Sequence, residues 1–202
     1  MKIMVVIITH VVFFAWGVLG SVVTNAPGVT FSVTTAPSKG KYSPRHVLAI
    51  WVTDEKDVLV KTLQVEGNKR KKHLAQWSAA SADSTVDAVT GATRKTHQEV
   101  KVHWDCTGAE GKAVAEGKYR IRVEFTEANG PGPFTPKDHI EFTVGAKAVS
   151  LKPKDLTNFK KMSLDYVPLK KEEPVKNTPA SSRSPKTQKP TEDDGKSPQL
   201  RQ

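Results

Sequence analysis

The chain has 202 residues, with 31 Lys and Arg against 21 Asp and Glu, a formal net charge of +10 and one cysteine. A single thiol forms no internal disulfide and supplies neither a Cys-based zinc site nor a paired-cysteine haem attachment motif, so an apolar core has to hold the fold. The basic excess is spread along the chain and favours non-specific attraction to polyanions; it does not indicate nucleic-acid binding.

An apolar run from Met4 to Leu19, interrupted by Thr9, His10 and Gly17, follows Lys2. It falls short of the about 20 apolar residues that a spanning helix needs. It reads as a secretory signal peptide over residues 1–21, with Ala26 as the latest cleavage point. No Cys lies nearby to carry a lipid anchor, and no stable membrane insertion is expected after cleavage.

Short alternating runs separated by turn residues then argue for strands. Phe31-Ser32-Val33-Thr34 opens the series. Val47 to Val52 is continuously apolar, which predicts a strand covered on both faces. Asp54-Glu55-Lys56-Asp57 turns the chain into a second strand over Val58 to Val65, giving a hairpin.

Some helical character appears only from Arg70 to Ala80. The dense cation cluster at its start, Lys69-Arg70-Lys71-Lys72-His73, reads either as a solvated loop or as a contact for an anionic partner. Val100, Val102 and Trp104 then share one strand face. Tyr119, Ile121, Val123 and Phe125 share another, with Arg120, Arg122 and Glu124 directed to water. Ile140, Phe142 and Val144 form the last strand of the set.

The pattern predicts an all-β fold, an Ig-like antiparallel β-sandwich over residues 28–146. Residues 147–167 keep enough apolar side chains to dock on it as an extra strand. From 168 to 202 the chain is rich in Lys, Pro and Ser, and too poor in apolar side chains to offset the entropy of ordering. It reads as a disordered basic tail.

Between the helical stretch and the Val100 strand lies Asp87-Ala88-Val89-Thr90-Gly91-Ala92-Thr93. Read from its residues, this is a small-residue loop. Asp87 and Thr90 can hold it through side-chain to backbone bonds, while Gly91 and Ala92 keep it slim. Its Asp-x-x-Thr-Gly-Ala-Thr pattern resembles the modification motif of exported bacterial flavoproteins, in which a flavin transferase moves FMN from FAD onto the last hydroxyl.

That resemblance implies Thr93 as the acceptor of a covalent FMN, with Asp87, Thr90, Gly91, Ala92 and Arg94 around it. A threonine hydroxyl is a weak nucleophile by itself, so activation would come from the transferase and its metal. Arg94 and Lys95 are candidates for pairing with the phosphate, and Trp77 and Trp104 for stacking on the flavin, against a default of core packing.

The segment Val102-His103-Trp104-Asp105 through Gly108, Gly111, Val114 and Gly117 to Tyr119 resembles a hairpin of Ig-like domains of the flagellar-hook-capping type. Taken with Tyr42-Ser43-Pro44-Arg45-His46, Ile50-Trp51-Val52 and Val60-Lys61-Thr62-Leu63, the span of about 30–145 is similar to an uncharacterised family of predicted periplasmic proteins. The resemblance implies periplasmic or secreted localisation and an association with extracytosolic electron transfer.

The expected role is therefore a non-enzymatic FMN carrier whose partners are a flavin transferase and envelope redox proteins. The alternative is a non-catalytic adhesion or scaffolding module of the cell envelope. His46, His73, His97 and His103 lack zinc-hydrolase spacing and read as surface or strand residues. Cys106 reads as a half-buried thiol.

Overall fold

The computed structural model describes residues 26–82 and 88–169. The signal peptide over 1–21, Asp87 and the tail from 170 onward lie outside the described residues. Strands β1 (Gly28–Thr35), β2 (Val47–Asp54) and β3 (Leu59–Glu66) come first. A 3-10 helix (Asn68–His73) and α1 (Ala75–Ser81) follow, and then β4 (Val89–Gly91), β5 (Glu99–Trp104), β6 (Gly117–Thr126), β7 (Glu141–Val144), β8 (Val149–Leu151) and β9 (Phe159–Val167).

These strands form two sheets, ordered β5-β1-β9-β8 and β4-β3-β2-β6-β7. All pairings are antiparallel except β3 with β4. The expected all-β sandwich is the observed architecture. The segment expected to dock as an addition supplies β8 and β9, and β9 is hydrogen-bonded between β1 and β8. Its Phe159, Met162, Leu164 and Tyr166 are buried and belong to the same core as Phe31, Val33 and Trp104.

The apolar run of β2 is covered on both faces, as its composition predicts. Leu48, Ile50 and Val52 enter the main core between the sheets. Val47, Ala49 and Trp51 face the other way, into a second cluster closed by Val65, Leu74 and Trp77, with Phe134 packed against it. Period-two alternation places the two sets on opposite sides, and the 3-10 helix, α1 and the loop holding Phe134 supply the outer cover.

That cover corrects the expectation for β6, because Arg120, Arg122 and Glu124 do not simply face water. Glu124 is fully buried, and its carboxylate accepts the backbone N–H groups of Gln76 (3.0 Å) and Trp77 (2.9 Å) at the start of α1. The residue preceding α1, Leu74, provides no side-chain cap, so a glutamate from the sheet satisfies donors that a short helix leaves open. Arg122 lies 4.3 Å above the Phe134 ring. Arg120 binds Glu141 and Asp57 and donates to the Glu55 carbonyl.

A second correction concerns the Trp104 to Tyr119 segment. It is not a hairpin, because β5 pairs with β1 while β6 pairs with β2 and β7. The chain crosses from one sheet to the other between them. Asp105 Oδ1 organises the crossing by accepting from the Thr107 amide (3.0 Å) and hydroxyl, while Lys61 of β3 reaches across to the Thr107 hydroxyl at 2.8 Å.

Cys106 sits at the same corner, fully rather than half buried. Burial pushes its thiol up to about 11, with the neighbouring Asp105 carboxylate adding to the shift. A thiol so rarely ionised reacts slowly. Native protein at pH 8 is therefore expected to resist a thiol-specific disulfide reagent that labels Cys106 at once in denaturant; equal labelling rates would contradict the buried placement.

Candidate functional site

Among the described residues, Val89 to Gly91 of the motif form the edge strand of the five-stranded sheet. Val89, Thr90 and Gly91 make up β4, pair in parallel with Gln64, Val65 and Glu66 of β3, and are all exposed. Ala92 and Thr93 follow as irregular backbone, with Thr93 half-buried. The pairing gives Gly91 a packing reason for its size, since a Cβ there would meet Glu66 Cγ at 3.1 Å.

Beyond β4, Gly67 turns the chain from β3 into the 3-10 helix at φ 146°, where a side chain would also strike Val47. That turn carries the basic cluster back over the sheet edge. Thr90, Gly91 and Ala92 consequently line one wall of a cleft of about 400 Å³, and Val65, Asn68 and Lys71 line the rest. The basic cluster and the motif, separate in sequence, meet here through Lys71.

The other expected contacts are not assembled. Arg94 is committed to Glu66, with Nη1 at 2.9 and 3.1 Å from the two carboxylate oxygens. It therefore is not a ready phosphate partner. Lys95 is exposed. Both tryptophans belong to the interior: Trp77 is fully buried and donates from Nε1 to the Thr62 hydroxyl. Trp104 packs edge-on against Tyr119 and Phe142 and donates to the Thr107 carbonyl. Neither offers a face for a flavin.

Two of the histidines are misplaced by the sequence reading. His46 is fully buried, and its ring stacks on that of His97 with centroids 4.3 Å apart and planes within 5°. Both rings meet the edge of Phe125. Arg94 makes a backbone bridge to His46, with N···O distances of 2.9 and 3.1 Å. This pairing brings the residues following Thr93 against the start of β2, and His97 against His46.

Glu127, just beyond β6, completes the cluster. One oxygen lies 2.9 Å from His97 Nε2, and the other accepts from Ser38 N (2.7 Å), Ser38 Oγ (2.8 Å) and Gly40 N (3.1 Å). Sequence reasoning missed this group. Its visible signal was a histidine placed directly before an all-apolar strand, where a polar ring needs buried partners. His103 is exposed on β5 and His73 half-buried at the end of the 3-10 helix. Among the described residues no group of His, Cys, Asp or Glu is arranged to hold a metal.

Residues 28–152 match the model of a family described as "Predicted periplasmic protein (DUF2271)". The chain belongs to that family. Periplasmic localisation follows from the family description and agrees with the signal-peptide reading, and among the described residues no helix is long and apolar enough to cross a membrane. The match ends after β8, so β9 lies beyond the family model although it sits inside the four-stranded sheet. No curated protein and no solved structure matches the chain.

Proposed function

We propose that this periplasmic protein is a carrier of covalent FMN, esterified at Thr93 by a flavin transferase and exchanging electrons with envelope redox proteins. The observation that supports the reading is the cleft of about 400 Å³ formed by Thr90, Gly91 and Ala92 of the motif together with Asn68 and Lys71. Its volume lies in the range of about 300–1,000 Å³ common for cofactor and small-ligand sites. Lys71 would supply the positive charge for a phosphate there, and Asn68 and the hydroxyl of Thr90 would offer hydrogen bonds. The exposed edge strand that leads into Thr93 is also a suitable approach for another enzyme, because its outer backbone edge is not consumed by the sheet.

Thr93 Oγ would form the new bond to the FMN phosphorus of FAD. The phosphoanhydride bond to AMP breaks, AMP leaves, and the hydroxyl proton passes to the transferase. No electron moves in this step. The attached flavin supplies the redox chemistry, and the protein supplies position and charge.

The test is co-expression with a flavin transferase, followed by peptide mass spectrometry. The peptide containing Thr93 is expected to carry the mass of FMN, and Thr93→Ala is expected to be colourless after denaturation. An unmodified Thr93 in cells where the same transferase labels a control acceptor would overturn the proposal in favour of the adhesion or scaffolding role.

A further inference from the structure

The cluster of Thr35, His46, His97 and Glu127 has a hydrogen-bond chemistry that none of its members has alone. His46 Nδ1 lies 3.0 Å from the Pro44 carbonyl, an acceptor only, so this nitrogen carries a hydrogen. His97 Nε2 faces the Glu127 carboxylate at 2.9 Å and must also donate. The two remaining ring nitrogens, His46 Nε2 and His97 Nδ1, both face the Thr35 hydroxyl, at 3.4 and 2.8 Å.

One hydroxyl between two ring nitrogens can donate to only one of them. With both rings neutral it donates to His97 Nδ1, and His46 Nε2 lacks a donor. A proton added to His97 makes Nδ1 a donor to Thr35, and the hydroxyl turns to donate to His46 Nε2. Every polar atom of the chain from Glu127 to Pro44 is then matched. A second proton has no such place. On His46 it would set two N–H groups against a hydroxyl that can accept both only by turning its own hydrogen into the buried pocket. It would also put two cations face to face at 4.3 Å.

We infer that this cluster is a proton-operated latch: it accepts one proton in place and, at the second, releases the segment from Ala92 to His97 from the end of the sandwich. The segment is held there by the backbone bridge between Arg94 and His46, by the ion pair of Arg94 with Glu66, and by the ring of His97, which stacks on His46 and bonds Thr35 and Glu127. The backbone bridge and the ring stack both depend on His46 staying where it is. The charged groups around His46 are His97 and Arg94, which disfavour its protonation, and Glu127, which favours it. Arg94 is itself neutralised by Glu66. Burial outweighs them all and brings the His46 imidazole down to about 4, so the second proton arrives in mild acid rather than at neutrality. The inference concerns the Thr93 segment but does not depend on a flavin being attached.

Hydrogen exchange of the full chain, corrected for intrinsic rates, reads the latch directly. The Arg94 amide, bonded to the His46 carbonyl, is expected to lose protection by up to about tenfold per pH unit as pH falls from 6.5 toward 4, the interval in which a released His46 is protonated and a latched one is not, and to level off below it. Amides of β2 and β6 paired with each other should stay protected over the same range. His46→Phe should remove the pH dependence at Arg94, and Thr35→Val, which removes the relay hydroxyl, should shift the loss to higher pH. The latch is refuted if Arg94 exchanges only with global unfolding at every pH, or if its pH profile is unchanged in a folded His46→Phe or Thr35→Val protein.

Discussion

Replacing Glu127 by Ala is expected to lower the unfolding free energy at pH 7 by about 3–5 kcal/mol, the range for stripping the anion from a buried, hydrogen-bonded group. The substitution abandons three donors in the loop from Ser38 to Gly40 and leaves His97 Nε2 facing an empty space. Urea denaturation checks the number; a loss below about 1 kcal/mol would mean that this loop is held by something other than the carboxylate. Glu127→Gln should recover little, because its amide group directs donors at donors.

The pH dependence of the same variant is a sharper measurement. Burial alone would raise the Glu127 carboxyl. Hydrogen bonds from Ser43, Ser38, His97 and the Gly40 amide outweigh it and bring the group down to about 2. A carboxylate with a folded pKa below its unfolded value stabilises the fold fully above the unfolded pKa of 4.5. That stabilisation, on the order of 3 kcal/mol, is lost as pH falls from 4.5 toward 2.

His46 acts one window higher. It is lowered from 6.5 to about 4, first by burial, so the unfolded chain takes up its proton before the folded one does. Its contribution is complete above pH 6.5 and disappears on the way to pH 4. Wild-type stability should thus decline across both windows, with Glu127→Ala losing the lower part of the slope. Wild type and variant should converge below pH 2.

The difference between what was legible and what was not is visible in neighbouring strands. The continuous run Val47 to Val52 announced burial on both faces, and both faces are buried. β6 has a clean alternation that normally marks one wet face. Its outer face is nevertheless covered by a helix of seven residues and by Phe134. Such a short helix has little amphipathic pattern of its own, and a single aromatic in a loop has none. The charges of β6 were readable, but not their partners: Glu124 capping α1 and Arg122 on Phe134 are decided by packing between segments distant in sequence.

The candidate site shows the same limit. The motif is legible as a string and reads as a loop; that Val89 to Gly91 form an edge strand instead depends on their parallel pairing with Gln64 to Glu66 of β3, which no local pattern encodes. Its meeting with Lys71 depends on the turn at Gly67, and the engagement of Arg94 with Glu66 depends on the parallel register of β3 and β4. The histidine pair arises only because Arg94 pairs with His46, a non-local bridge that no spacing rule encodes.

The second large effect is expected at Trp77. Its side chain is fully buried between α1 and the outer face of the five-stranded sheet, in contact with the cluster of Val47, Ala49, Trp51, Val65 and Leu74. Trp77→Ala should cost about 3–5 kcal/mol, the usual loss for removing a buried indole. A helix of seven residues is too short to persist without tertiary contacts, so this loss should fall first on α1 and on the 3-10 helix that precedes it. Trp51 would then gain water contact and its emission should shift to the red before global unfolding. Trp77→Phe preserves much of the packing and gives up the bond from Nε1 to Thr62 at 3.2 Å, a net contribution of about 1 kcal/mol. Because Lys71 and Asn68 ride on the same cover, Trp77→Ala should also open the cleft beside Thr90 to Ala92. A variant with a red-shifted Trp51 and intact FMN loading at Thr93 would separate the fold of the cover from the acceptor role proposed for Thr93.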